Sequence, residues 1–300
     1  MMKPLAVWVG LILAAGGTVF AQRLGPRDVD ALPASEPKAV LPYGAEALQF
    51  GELRLPPGPG PFALVVVIHG GCWTRGFATV RNTAALASAL AARGVATWNV
   101  EYRQVGDEGG GWPGTFQDWG AAVDYARELA KRYPLDLTRV AVIGHSAGAH
   151  AALWVAARER LPATSRIRGA RPLRVAAAVA LDGPGDLTGF VGFDAQVCGR
   201  PVVAALMGGT PAEKPERYRQ ASPQGLLPLG TPQFLVSAAV LTADKAAAYQ
   251  KLARAKGDAV EILSPKNAGH FEIIAPGQPG GDAVIKWILG PVMEAMAPKK

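Results

Sequence analysis

The sequence predicts an α/β fold: a mostly parallel central sheet with helices on both faces and a small cap-like insertion. Three observations carry that expectation. Apolar runs alternate with helical patterns from about residue 63 to residue 297. The runs are apolar throughout instead of at every second position, so both of their faces are covered, as in parallel sheets. One stretch, 183–230, is rich in Pro and Gly and interrupts the alternation. In an open sheet such an insertion lies over the carboxyl edge, where ligands bind. With 300 residues, 49% of them hydrophobic, the chain can bury a full core.

Taken in order, the residues up to about Tyr43 lack periodicity and are rich in Pro and charge, so 22–43 reads as a leader or linker before a domain of 44–300. An edge strand pair is expected around Ala47 to Leu55. ALVVVIHG (Ala63–Gly70) is a continuous apolar strand, and Thr79–Gly94 is a helix closed by its glycine. ATWNVEYR reads as a strand, FQDWGAAVDYARELAKRY as a helix, and RVAVIGHS as a strand feeding the helix AGAHAALWVAARERL. RVAAAVALD and QFLVSAA are further strands, DKAAAYQKLARAKG is a helix, AVEILSP is a strand, and a closing helix runs from about Gly281 to Ala297.

The amino terminus, MMKPLAVWVGLILAAGGTVFAQ, has a basic start, an apolar stretch and small residues before Ala21. That layout predicts a signal peptide over 1–21, export to a secreted or periplasmic location, and no stable membrane insertion after cleavage; an uncleaved membrane anchor is the alternative, since the apolar stretch is close to the shorter limit for a span. Export would let the two cysteines, Cys72 and Cys198, pair if the fold brings them close. The net charge of +7 is scattered without a basic run, which excludes a nucleic-acid partner from the expectation. No Cys/His cluster has metal-ligand spacing, and no Gly-rich loop carries a Walker lysine or a Rossmann acid, so neither metal nor cofactor is expected.

Gly144-His145-Ser146-Ala147-Gly148 stands where a strand becomes a helix. A serine at such a turn is lifted out of the sheet, and side chains at either glycine would collide as strand and helix cross. Its hydroxyl needs a base. Of the four histidines, His69 lies in the loop after the first long strand. His145 is expected on the face opposite Ser146 by strand alternation. His150, four residues along the helix from Ser146, is a rival for the base, although a helix histidine packed against the sheet is the commoner arrangement. His270 follows the last strand and has the position expected of the base. Oxyanion donors are expected from the HGGCW loop, His69–Trp73, and from the Ala147 N–H.

HGGCW, EYR, GGGWPGTFQDW, GHSAG and AGHF, in that order over residues 63–275, resemble the α/β-hydrolase superfamily. They are most similar to its small carboxylesterases and acyl-hydrolases with an HGGGW-type oxyanion loop, a group that includes formamidase-like and acetyl-xylan-esterase-like members. The resemblance implies Ser146 as nucleophile, His270 as base, and Gly71, Cys72 and Ala147 as oxyanion donors. Cys72 replaces the third glycine of the loop but keeps its N–H. The acid departs from the pattern, because Leu241 stands where the aspartate belongs. Asp182, at the tip of the preceding strand, ranks first, Asp244 second and Asp186 third. Glu101, Arg103 and Asp118 read as structural ties. Trp98, Trp119, Trp154 and Trp287 read as core, and Trp73 and Trp112 as lining for a substrate pocket.

The implied activity is hydrolysis of small-molecule carboxylic esters through an acyl-serine. An amidase or peptidase on the same triad, and a fold that binds without efficient catalysis, stand as alternatives. The oligomeric state is left open.

Overall fold

The structure, a computed structural model, describes residues 23–297. The expected signal peptide, 1–21, lies outside the described residues. Eight strands form one sheet: β1 (Ala39–Pro42), β2 (Phe50–Arg54), β3 (Phe62–Ile68), β4 (Ala96–Val100), β5 (Leu135–His145), β6 (Ala177–Leu181), β7 (Gln233–Val236) and β8 (Val260–Leu263). Their spatial order is β1-β2-β4-β3-β5-β6-β7-β8. The β1–β2 and β2–β4 pairs are antiparallel, and the pairs from β4–β3 to β7–β8 are parallel.

Alternation along β3 shows why its apolar run is continuous. Leu64, Val66 and Ile68 join one core cluster, while Ala63, Val65 and Val67 join the other, on the opposite face of the sheet. Burying a side chain such as Leu or Val stabilises the fold by about 1.5–3 kcal/mol, so a strand shared by two cores anchors both layers. The first cluster holds Trp98, Trp119 and Trp154, and Trp287 packs on the second.

The amino-terminal boundary differs from expectation. Residues expected to form a leader or linker carry a short helix, Pro26–Asp30, and β1, the edge strand. β1 lies before the pair expected at Ala47–Leu55, of which only the second strand, β2, forms there. An edge strand needs burial on little more than one side. Four residues of half-buried and exposed alternation give too weak a pattern to read.

Between β6 and β7 the insertion folds into the helices Asp194–Cys198, Val203–Met207 and Pro215–Ala221. The Asp194 carboxylate gathers it by accepting backbone N–H bonds from Gly192, Ala195, Val202 and Val203. No helix among the described residues is long and apolar enough to cross a membrane.

Candidate active site

At the end of β5 the chain turns through Ser146, with φ +57° and ψ −116°, directly into the helix Ala147–Ala157. For a serine such a backbone costs about 1–3 kcal/mol. It is held by the Ser146 N–H bond to the Leu181 carbonyl at 2.9 Å and by close crossing of the chain on either side. A Cβ on Gly144 would overlap the Gly148 carbonyl, and one on Gly148 would overlap the Ile68 carbonyl. Gly183, beside the end of β6, leaves the same kind of room for the Ser146 carbonyl. The N–H groups of Ala149 and His150 bond to the Ser146 carbonyl, while those of Ala147 and Gly148 stand at the positive end of the helix dipole.

Ser146 and His270 line one cleft, of about 260 Å³, together with Gly71 and Cys72. His270 Nδ1 donates to Asp182 Oδ2 at 2.7 Å. Asp182 sits at the tip of β6 with φ +53°, fully buried. Its carboxylate accepts N–H bonds from Ala238, Ala239, Val240 and Leu241, the Leu241 bond being 2.7 Å. Burial opposes its ionisation. The hydrogen bond and charge of His270, with the N–H groups of Val240 and Leu241, outweigh that and hold the carboxyl below its ordinary value of 3.8. Leu241, the residue standing in place of the expected aspartate, therefore contributes its backbone to the carboxylate supplied by the neighbouring strand.

The other carboxylates lie elsewhere. Asp244 is exposed in the first turn of the helix Ala243–Ala255, where an acid favours the helix dipole. Asp186 binds the N–H groups of Thr188 and Gly189 in its own turn.

The loop after β3 is shaped by its carbonyls. Tyr102 Oη donates to the carbonyls of His69 and Gly70 at 3.0 and 3.1 Å, and His69 Nδ1 lies 2.8 Å from the Gly70 carbonyl. The Thr74 N–H holds the Gly71 carbonyl at 2.9 Å. In a trans peptide the N–H points away from the carbonyl it follows. Binding the carbonyls of Gly70 and Gly71 therefore turns the N–H groups of Gly71 and Cys72 the other way. His69 Nε2 meets Glu101 Oε1 at 2.8 Å, and Glu101 also accepts from the N–H groups of Val80 and Tyr102. Despite the opposing effect of burial, these partners, His69 foremost, hold the Glu101 carboxyl below its ordinary 4.5. Arg103 grips Asp118 through Nε and Nη2 at 2.8 and 2.7 Å, so the three polar residues of EYR and QDW are ties, as expected.

Cys72 and Cys198 are disulfide-bonded, with Cα atoms 6.1 Å apart, which fastens this loop to the insertion. Val197 and Cys198 carry the insertion to the cleft.

Three expectations need correction. His145 does not turn away from the site: it lines the cleft, its Nε2 donates to the His270 carbonyl at 2.8 Å, and the two rings lie 4.4 Å apart. Strand parity stops applying at Ser146, whose left-handed backbone swings its side chain out of the alternation. Trp73 is 1% exposed and packs edge-on against His150 and Phe190 instead of lining the cleft. Its own φ of +54° turns it inward. Trp112 packs on Phe116 and under the Arg217 guanidinium, also away from the cleft. His150 is buried as expected, with Nε2 on the Ala221 carbonyl, and burial pulls its pKa down to about 4.

The BD-FAE family model matches residues 53–251. A truncated carbohydrate esterase from gut microbiota is similar at 19% identity and TM-score 0.71, over 88% of this chain and 97% of that one. Esterase B from Lactobacillus rhamnosis is similar at 16% identity and TM-score 0.71, over 90% of each chain. The bifunctional GH43-CE protein of Bacteroides eggerthii is 20% identical with TM-score 0.68, but the match covers 86% of this chain and only 38% of that one. This chain therefore spans well under half of that protein's length. No curated protein matches the chain. At such identities the solved structures establish a shared fold.

Proposed function

This chain belongs to the BD-FAE family and has the α/β-hydrolase fold, and from that premise we propose that it is a serine esterase acting on small-molecule esters. The observation that carries the reading is the bond from Nδ1 of His270, which lines the same cleft as Ser146, to the buried Asp182 carboxylate behind it. Committing Nδ1 as a donor leaves Nε2 as the basic nitrogen.

Ser146 Oγ attacks the ester carbonyl carbon while His270 Nε2 takes the hydroxyl proton. The oxyanion of the tetrahedral adduct accepts hydrogen bonds from the N–H groups of Gly71, Cys72 and Ala147, each donor contributing about 2.7–4 kcal/mol in the transition state. Collapse breaks the bond to the alcohol oxygen, which leaves with the proton from His270. Water then gives a proton to Nε2 and attacks the acyl-serine. The second adduct releases the acid and returns the proton to Ser146. Asp182 fixes the ring tautomer and stabilises the imidazolium in both halves. The solved neighbours titled carbohydrate esterase and Esterase B support ester chemistry on this fold.

Purified protein is expected to turn over a p-nitrophenyl acetate ester and to leave the matched anilide nearly untouched. Full turnover in Ser146→Ala, or preference for the anilide, would overturn the reading. A secreted or periplasmic location is part of the proposal, supported by the amino-terminal composition and by the Cys72–Cys198 bond. Amino-terminal sequencing of the exported protein is expected to begin at Gln22.

A further inference from the structure

We propose that residues 23–30 form a strap that walls the active-site cleft, sets the size of acyl group it accepts, and holds the loop carrying His270; the acyl-size part rests on the esterase reading. Pro26 lines the same cleft as Ser146 and His270, although 120 and 244 residues separate it from them along the chain. Its neighbours fasten it to the histidine loop. The Leu24 N–H donates to Glu272 Oε1 at 2.9 Å, and the Arg23 guanidinium donates to the Asn267 carbonyl at 3.1 Å. Glu272 is 9% exposed and lies two residues after His270, so its carboxylate is a fixed anchor close to the base.

The other end of the strap is fastened to the region behind the oxyanion loop. Val29 is buried in the core, Asn82 Nδ2 donates to Asp30 Oδ1 at 3.0 Å, and Arg81 Nε donates to the Asp30 carbonyl at 2.8 Å. Those contacts fall on the turn Val80–Thr83, whose first N–H is held by Glu101, the partner of His69. The strap thus spans from the loop of the base to the support of the oxyanion loop. Phe77 and Phe271 line the same cleft, an apolar lining that suits an aliphatic or small aromatic acyl group.

A rigid apolar wall discriminates by volume, and one methylene in a hydrophobic pocket is worth about tenfold or more in kcat/KM. The test compares p-nitrophenyl acetate with the hexanoate. Pro26→Trp is expected to lower the hexanoate-to-acetate ratio of kcat/KM about tenfold and Pro26→Ala to raise it, with Tm unchanged. Glu272→Ala is expected to speed amide hydrogen exchange over residues 267–274, and Glu272→Gln, which keeps the acceptor for Leu24, is expected to restore slow exchange. An unchanged ratio in both Pro26 variants would overturn the strap. So would unchanged exchange in Glu272→Ala, a readout that needs no turnover. Acetate turnover by the unaltered protein reports on the esterase reading separately.

Discussion

Two histidine–carboxylate pairs lie among the described residues, after the carboxyl ends of strands on either side of β5, and their bond lengths barely differ: 2.8 Å for His69–Glu101 and 2.7 Å for His270–Asp182. Their surroundings differ throughout. The His69 ring stacks on Tyr102 with centroids 4.4 Å apart, is fully buried, and has both nitrogens facing oxygen acceptors. The His270 side chain is 17% exposed, and only its Nδ1 is committed to the carboxylate. The first pair shapes a loop, and the second leaves Nε2 outside its carboxylate bond, as the proposed proton transfer requires. A short histidine–carboxylate bond is therefore no mark of a reactive centre. What sets the second pair apart is a ring that lines the same cleft as Ser146.

Substitutions in the two pairs break that symmetry in different measurements. His270→Ala is expected to lower kcat by about 10⁶-fold, as removal of a base acting jointly with its serine does, and to cost some stability as well, because it takes a partner from the buried Asp182 carboxylate that the backbone N–H groups of 238–241 still hold. Asp182→Asn is expected to lower kcat by about 10⁴-fold, while Asp244→Asn leaves it unchanged; steady-state kinetics on the acetate ester decide both. His69→Ala reverses the balance. Leaving Glu101 as a buried charge without its partner costs about 3–5 kcal/mol of stability in denaturant titrations. Its effect on kcat is limited to loosening one oxyanion donor, about 10²–10³-fold.

The disulfide sharpens the comparison, because it fastens the His69 side of the cleft to the insertion. Replacing both cysteines by serine removes a link across 126 residues of chain and is expected to cost about 2–5 kcal/mol. The last effect is confined to acid. His150 stays neutral when folded, with burial lowering its pKa from 6.5 to about 4. Its unfolded form protonates as the pH falls below 6.5, while the folded form does not. Stability is therefore lost between pH 6.5 and 4, by at most about 1.4 kcal/mol per pH unit. His150→Leu is expected to flatten that part of the stability profile. Asp182 and Glu101, both lowered, contribute stability that is present above their ordinary values of 3.8 and 4.5 and is lost as the pH falls through their folded values.

How far the sequence revealed this arrangement follows from what each feature depends on. The sheet from β3 to β8 was legible because strands with two covered faces need continuous apolar runs, whereas β1, with one neighbour and four residues, left almost no pattern. Ser146, His270 and Asp182 were legible from their places at strand ends. The cradle of N–H groups from 238 to 241 was not, since a backbone donor has no residue type to betray it. His145 and Trp73 were misplaced for one reason: left-handed backbone at Ser146 and at Trp73 itself undoes the side-chain directions that strand and loop rules assume. Arg23–Asp30 looked like a linker because its contacts are to residues some 50 to 250 positions away, beyond any local periodicity.

The most direct measurement on the central claim is covalent labelling with a fluorophosphonate, followed by peptide mapping and rate comparison. The unaltered protein is expected to carry one adduct, on Ser146, and His270→Ala to be labelled at least about a thousandfold more slowly while remaining folded. An adduct on any other residue, or equal labelling rates in the two proteins, would contradict the pairing of Ser146 with His270.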